Sequence, residues 1–245
     1  MSYNTVIKNK LMDNSLKNKF LVSIIIPAYN EEKTISEIIR KVYEVDINKE
    51  IIVINDGSVD GTKDILYEIK DRYKLKVINL DRNCGKGFAI RKGIEESSGE
   101  IILTQDADLE TDPSEYYKLL EPIILGETKV VFGSRFLGKI NNMNRFNFIG
   151  NKFLTFLANI MFGIRITDEA TAYKVISRDI FADMKLKSNR FELCPELVAK
   201  IAKRKHKIVE VPITFNGRSR DEGKKVRMVD GFVAVWTLIK YRFIE

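Results

Sequence analysis

The sequence predicts an α/β fold: a mostly parallel sheet flanked by helices, in a single domain. Three observations predict it. Short apolar runs alternate with helical patterns, an order that builds a parallel sheet with helices on both faces. Each run stops in a polar, turn-rich cluster, so one sheet edge collects these clusters. The 245 residues, 44% hydrophobic and 31% charged, suit one large domain with an ample core.

The elements follow in order. Residues 22–26 form an apolar run stopped by Pro27, and Ala28-Tyr29-Asn30-Glu31-Glu32 leads into a helix through Ile35, Ile38, Ile39 and Val42. A second run, 51–54, ends in Asn55-Asp56-Gly57-Ser58 before a helix through Ile65, Leu66 and Ile69. A third strand, 77–80, precedes Asn83-Cys84-Gly85-Lys86-Gly87, which opens a helix through Ala89, Ile90 and Ile94. The fourth, 100–105, delivers Asp106-Ala107-Asp108. One edge therefore gathers Glu31, Asp56, Lys86, Asp106 and Asp108, at the strand ends where open α/β sheets bind ligands. Two carboxylates there are hard oxygen ligands, suited to Mg²⁺ or Mn²⁺ holding a substrate phosphate.

The second half predicts a strand at 130–132 running into Gly133-Ser134-Arg135-Phe136, and another at 211–215 ending near Arg218. Two strongly apolar, aromatic segments, 146–162 and 231–244, lie among basic residues. Neither is a continuous run of about 20 apolar residues, so neither should span a bilayer. Aromatic-rich helices of this kind suit a membrane interface, a core or a subunit contact, and the segments alone do not choose among them.

Charge and cysteine usage narrow the class. The net charge is +7 with a pI near 9.2. The cations concentrate in the last third beside the apolar segments, which favours anionic lipid and phosphate over nucleic acid, for which no motif is present. Cys84 and Cys194 lack metal-ligand spacing and suggest no disulfide framework, so a reducing compartment fits, and His206 reads as a surface residue. Gly85-Lys86-Gly87 and the 57–63 segment do not match a phosphate loop, and no dinucleotide fingerprint follows the first strand. Residues 1–20 read as a mobile tail without a signal-peptide core, and 21–245 as the folded domain.

Four motifs in order, Ile-Ile-Pro-Ala-Tyr-Asn-Glu-Glu, Ile-Asn-Asp-Gly-Ser-Val-Asp-Gly-Thr, Asn-Cys-Gly-Lys-Gly and Asp-Ala-Asp-Leu, resemble the inverting family 2 glycosyltransferases of the Rossmann-like GT-A fold. The likeness is to dolichyl-phosphate mannose and glucose synthases and runs from about residue 22 to the C-terminus. Within 21–245 the family resemblance of the motifs implies a nucleotide-sugar-binding half at 21–112 and an acceptor half at 113–245. It implies metal-dependent transfer of a sugar from a nucleotide donor, GDP- or UDP-linked, to a polyprenyl (dolichyl or undecaprenyl) phosphate. It places the enzyme peripherally on the cytoplasmic membrane face, with a membrane partner subunit or a homo-oligomer left open. A soluble or protein hydroxyl acceptor is the runner-up, and a non-catalytic nucleotide-sugar-binding scaffold is the alternative from another class.

The resemblance also implies roles. Pro27, Tyr29, Glu31, Ile54 and Asp56 match positions that hold base and ribose, with Lys86, Asp106 and Ala107 completing the donor site. Asp106, Asp108 and Glu110 would hold Mg²⁺ or Mn²⁺, although similar synthases often carry Gln or another polar residue at the Glu110 position. Asn55 departs from the more usual Asp-Asp-Gly-Ser. Arg135 matches an arginine that meets phosphate, and Arg218 and Lys224 match cations over the donor diphosphate in a segment flanked by Gly217 and Gly223. Arg145, Arg220 and Lys225 are either further phosphate contacts or solvated charges. Asp168 fits the acid near the acceptor, as general base, as orienting group or as a helix cap.

Overall fold

The structure, a computed structural model, describes residues 19–182, 184–218 and 228–244. Most of the 1–20 tail, and Arg220, Gly223, Lys224 and Lys225, lie outside the described residues. Phe20, inside them, packs against the core rather than trailing from it.

The first half alternates as the sequence predicts: β1 (Val22–Ala28), α1 (Ile35–Glu44), β2 (Lys49–Asn55), α2 (Thr62–Ile69), β3 (Leu75–Asn79), α3 (Lys86–Glu95) and β4 (Ile101–Thr104). The second half adds α4 (Tyr116–Ile124), β5 (Val130–Asn141), α5 (Arg145–Phe162), β6 (Lys174–Ser177), α6 (Asp179–Ala182), α7 (Leu193–Lys203), β7 (Ile208–Asn216) and α8 (Met228–Phe243). The strands form one seven-stranded sheet in the order β3-β2-β1-β4-β6-β5-β7. β1, β2, β3 and β4 are parallel, β5 and β7 pair in parallel, and β6 runs antiparallel to both its neighbours.

Side-chain alternation covers both faces. Ile24, Ile26, Val53, Leu103, Val131 and Val175 meet the apolar faces of α1, α2 and α4 in one cluster. Their alternates divide between two clusters on other elements: Ile52 and Ile54 pack under Ala89 of α3, while Val130, Phe132 and Ile176 pack with α5, α7 and α8. A strand buried on both faces needs a near-continuous apolar run, and Ile24-Ile25-Ile26 and Ile51-Ile52-Val53-Ile54 supply it.

Strand direction then positions the site. The parallel strands release their polar turns at one edge, where the Asp56 N–H donates to the Ala28 carbonyl at 2.8 Å and the Leu80 N–H to the Asn55 carbonyl at 2.9 Å. Because β6 is antiparallel, the loop before it, with Asp168 and Glu169, arrives at that same edge. β7 ends there too: Phe215 bridges to Thr111, and the Asn216 N–H donates to the Glu110 carbonyl at 2.8 Å. This brings Arg218 against the acidic turn.

Candidate active site

The acidic turn after β4 is held from beneath by Gln105. Its buried side-chain amide donates to the Asp106 carbonyl at 2.9 Å and to the Thr111 hydroxyl at 3.2 Å. Its Oε1 accepts from the hydroxyls of Tyr116 at 2.7 Å and Tyr173 at 2.8 Å. Asp108 Oδ1 accepts the Glu110 N–H at 3.0 Å, and Leu109 between them adopts φ 61°, a backbone region uncommon for such a residue. The turn is a fixed local structure, and the two carboxylates of Asp106 and Asp108 are aimed by it.

Each carboxylate meets a cation. Lys86, at the start of α3, contacts Asp106 Oδ1 at 2.6 Å and Oδ2 at 2.7 Å. Burial works against the Lys86 charge, but Asp106 beside it holds the ammonium pKa above its usual value. Asp108 Oδ2 lies 3.3 Å from Arg218 Nη2. Burial, reinforced by the neighbouring carboxylates of Asp106 and Glu110, pushes the Asp108 carboxyl up to about 7. Glu110 accepts the Arg218 N–H through Oε1 at 2.8 Å.

The nucleotide-side residues divide. Glu31 is 8% exposed, receives Arg218 on both oxygens at 3.0 and 3.3 Å, and takes the Thr34 hydroxyl at 2.9 Å. Asp56 accepts the N–H groups of Cys84 at 2.7 Å and Gly85 at 2.8 Å, which fixes the Gly-Lys-Gly turn against β2. That turn needs its glycines: Gly85 sits at φ 101°, and a Cβ on Gly87 would fall 2.7–2.8 Å from the backbone of 188–190. Pro27 and Tyr29 are half-buried at the end of β1. The side chains of Ile54 and Ala107 are packed in the core, at 0% and 3% exposure, so what each can offer a nucleotide is backbone. Asn55, the departure from the usual pattern, donates to Asn79 Oδ1 at 2.8 Å and caps the Ser58 N–H at 3.1 Å; its side chain braces β3 and the turn.

On the acceptor side, Arg135 and Asp168 form a buried fork. Nε and Nη2 of Arg135 each lie 2.7 Å from a different Asp168 oxygen, and the Arg135 N–H adds a third bond at 3.0 Å. Asp168 is 0% exposed. A carboxylate so enclosed and engaged on both oxygens by Arg135 is arranged to orient that arginine. It does not cap a helix. The rings of Phe136 and Phe215 lie 5.8 and 5.3 Å from the guanidinium. Glu169, which no sequence signal singles out, is 1% exposed with neither carboxyl oxygen hydrogen-bonded among the described residues, and burial pushes it up to about 7. Lys224 lies outside the described residues.

A divalent cation fits this donor set. No group of three His, Cys, Asp or Glu side chains forms a metal cage among the described residues. A phosphate-bound Mg²⁺ needs only one or two carboxylates, with substrate oxygens and water completing its shell. Asp106 and Asp108 supply hard oxygens, and Asp108 is buried with the carboxylates of Asp106 and Glu110 beside it.

The sheet order and the antiparallel β6 define the class of fold, GT-A. The model of the family described as "Glycosyl transferase family 2" matches residues 23–185, and the chain belongs to that family. It is 31% identical over 209 residues to a dolichol-phosphate mannosyltransferase of Pyrococcus furiosus, covering 83% of this chain but only 58% of that protein. It is also 31% identical over 239 residues to a UDP-N-acetylglucosamine--dolichyl-phosphate N-acetylglucosaminyltransferase of Methanococcus voltae, covering 89% of this chain and 95% of that one. Among solved structures it resembles Mycobacterium tuberculosis glucosyl-3-phosphoglycerate synthase in complex with phosphoglyceric acid, with a TM-score of 0.73 at 19% identity over 100% of this chain and 85% of that one. The same synthase has been crystallised with Mn²⁺ and UDP, and with Mg²⁺ and UDP. At such identity this likeness speaks for the fold.

Proposed function

We propose that this glycosyltransferase moves one sugar, with inversion, from a nucleoside diphosphate donor to a polyprenyl phosphate at the cytoplasmic membrane surface. The observation that carries the reading is one edge holding three things. The acidic turn and Glu31 suit a nucleotide and its cation. The Arg135 fork suits a phosphate. Beyond Arg135, β5 leads into a helix whose outer face is apolar.

That face is regular. On α5, Phe146, Ile149, Phe153, Phe156 and Ile160 are exposed at helical spacing, and on the neighbouring α8 so are Val229, Phe232, Trp236, Ile239 and Phe243. Arg145, Lys152, Lys240 and Arg242 are exposed beside them. No helix among the described residues is long and apolar enough to cross a membrane. Two amphipathic helices with apolar stripes and flanking cations suit the lipid interface.

Each residue then has a task. Glu31 and Asp56 hold the nucleotide. Asp106 and Asp108 would hold Mg²⁺ or Mn²⁺, which when bound neutralises the departing diphosphate as a Lewis acid. Arg218 and Lys224 share that charge. Arg135, fixed through Nε and Nη2 by Asp168, turns its Nη1 edge to the acceptor phosphate. A phosphate monoester is largely ionised at pH 7 and attacks the anomeric carbon opposite the leaving group without a strong base. Two measurements test this. Thermal shift with UDP- and GDP-sugars plus Mn²⁺ identifies the donor, since a ligand of the native state raises Tm. Transfer of labelled sugar to polyprenyl phosphate is then compared with transfer to phosphoglycerate and to a simple alcohol. Preference for either soluble acceptor would overturn the lipid assignment.

A further inference from the structure

Arg218 joins two parts of the site that a donor complex must use separately. Its Nη1 donates to Glu31 Oε2 at 3.0 Å, and its Nη2 reaches Glu31 Oε1 and Asp108 Oδ2, each at 3.3 Å. Its backbone N–H is tied to Glu110 Oε1 at 2.8 Å. The side chain is only 15% exposed, so the guanidinium is enclosed by these acids rather than lying over them. Burial disfavours its charge, and Glu31 and Asp108 more than restore it. Glu31 and Asp108 come from the ends of β1 and β4, adjacent strands, and one planar cation spans the gap between their carboxylates.

We propose that Arg218 and the divalent cation compete for Asp108, and that the donor diphosphate resolves the competition by drawing the guanidinium off both acids. This rests on the donor reading above and adds an order of events to it. A cation arriving alone at Asp108 meets a fixed positive charge 3.3 Å from the same oxygen. A cation arriving with a diphosphate does not, because the diphosphate offers the fork a bidentate partner of higher charge. Moving one side chain frees Asp108 for the ion and Glu31 for the nucleotide together. Metal and nucleotide should therefore bind with positive coupling, to which release of Arg218 adds beyond the diphosphate oxygens in the ion's shell.

Calorimetric titration of the full chain with Mn²⁺, alone and with UDP or GDP, tests this. Wild-type protein should bind Mn²⁺ weakly alone and more tightly with the nucleotide. Arg218→Gln should bind Mn²⁺ alone roughly fivefold or more tighter than wild type, the lower end of ordinary coupling between sites, and should show a correspondingly smaller nucleotide effect, that of the diphosphate oxygens alone. Mn²⁺ alone should also raise the Tm of Arg218→Gln more than that of wild type. Arg218→Lys, which keeps the charge and gives up the fork, should fall between the two. Mn²⁺ binding to Arg218→Gln no tighter than to wild type overturns the competition. Should Arg218→Gln not fold, wild type decides: equal Mn²⁺ affinity with and without nucleotide overturns it. Failure of both nucleotides to bind would instead sink the donor reading, while the comparison in Mn²⁺ alone would still judge Arg218.

Discussion

Removing the charge of Asp168 separates an orienting acid from a catalytic base. In Asp168→Asn the shape is kept, but the buried Arg135 loses the anion that meets it through two bonds of 2.7 Å. Breaking one side of a buried ion pair costs about 3–5 kcal/mol, mainly because the remaining charge is left uncompensated. For a domain of this size each kcal/mol moves Tm by roughly 2–4 °C, so a fall of about 6–20 °C is expected by differential scanning fluorimetry. The double variant Arg135→Met/Asp168→Leu should recover much of it, since no buried charge remains. Steady-state kinetics should show a raised KM for the phosphate acceptor in Asp168→Asn, matched by Arg135→Lys, with donor affinity kept. The orienting role is refuted if Asp168→Asn lowers kcat by about 10²-fold or more while Tm and acceptor KM stay at wild-type values. That pattern belongs to a proton acceptor.

Three further outcomes are expected. Asp108→Asn should remove Mn²⁺-dependent donor binding in calorimetry with a folded chain, and unchanged metal dependence would remove Asp108 from the ion site. Glu169 has a carboxyl raised from 4.5 to about 7 by burial, so it binds a proton more readily folded than unfolded. Its contribution to stability therefore falls as pH rises from about 4.5 to 7, by about 3 kcal/mol at most, and urea titrations across that range should show a shallower fall in Glu169→Gln. Phe232→Ser/Trp236→Ser should weaken flotation with anionic vesicles at low salt while leaving Tm little changed, since both side chains are exposed; wild-type protein that stays at the bottom of the gradient would defeat the surface-bound reading.

The first half was legible because its signals are local. Apolar runs, stops and turns sit within a few residues of each other, and β1 to β4 appear where the runs predict them. The second half hid more. β6 is only four residues, Lys174–Ser177, and begins with a charge, so no run announced it. α4 and α7 contain Pro122 and Pro195, which blur a helical pattern although both helices form. β5 runs on to Asn141 through Gly133, Ser134 and Arg135, past the end of its apolar signal, because β7 pairs along it with a register shift. The site partners were least legible. Arg218 and Glu31 are 187 positions apart, and only the ends of β7 and β1 on one edge bring them together. Motif reading named both residues and could not know that they touch.

That contact also explains how so many acids coexist at one edge. Glu31, Asp56, Asp106, Asp108 and Glu110 would repel one another in a buried cleft without compensation. The structure compensates each differently. Asp56 is satisfied by two backbone N–H groups, Asp106 by Lys86, and Glu31 and Asp108 by the shared Arg218, with the Glu110 carboxylate receiving that arginine's N–H. Backbone donors cannot leave, so Asp56 is a permanent part of the frame. A side-chain cation can be exchanged for another. The acids paired with Lys86 and Arg218 are therefore the ones able to turn toward an ion or a nucleotide without leaving bare charge behind. On the proposed reading Asp56 meets the nucleotide from a fixed place in the frame, whereas Glu31, Asp106 and Asp108 are freed for nucleotide and ion by exchange of a side-chain cation.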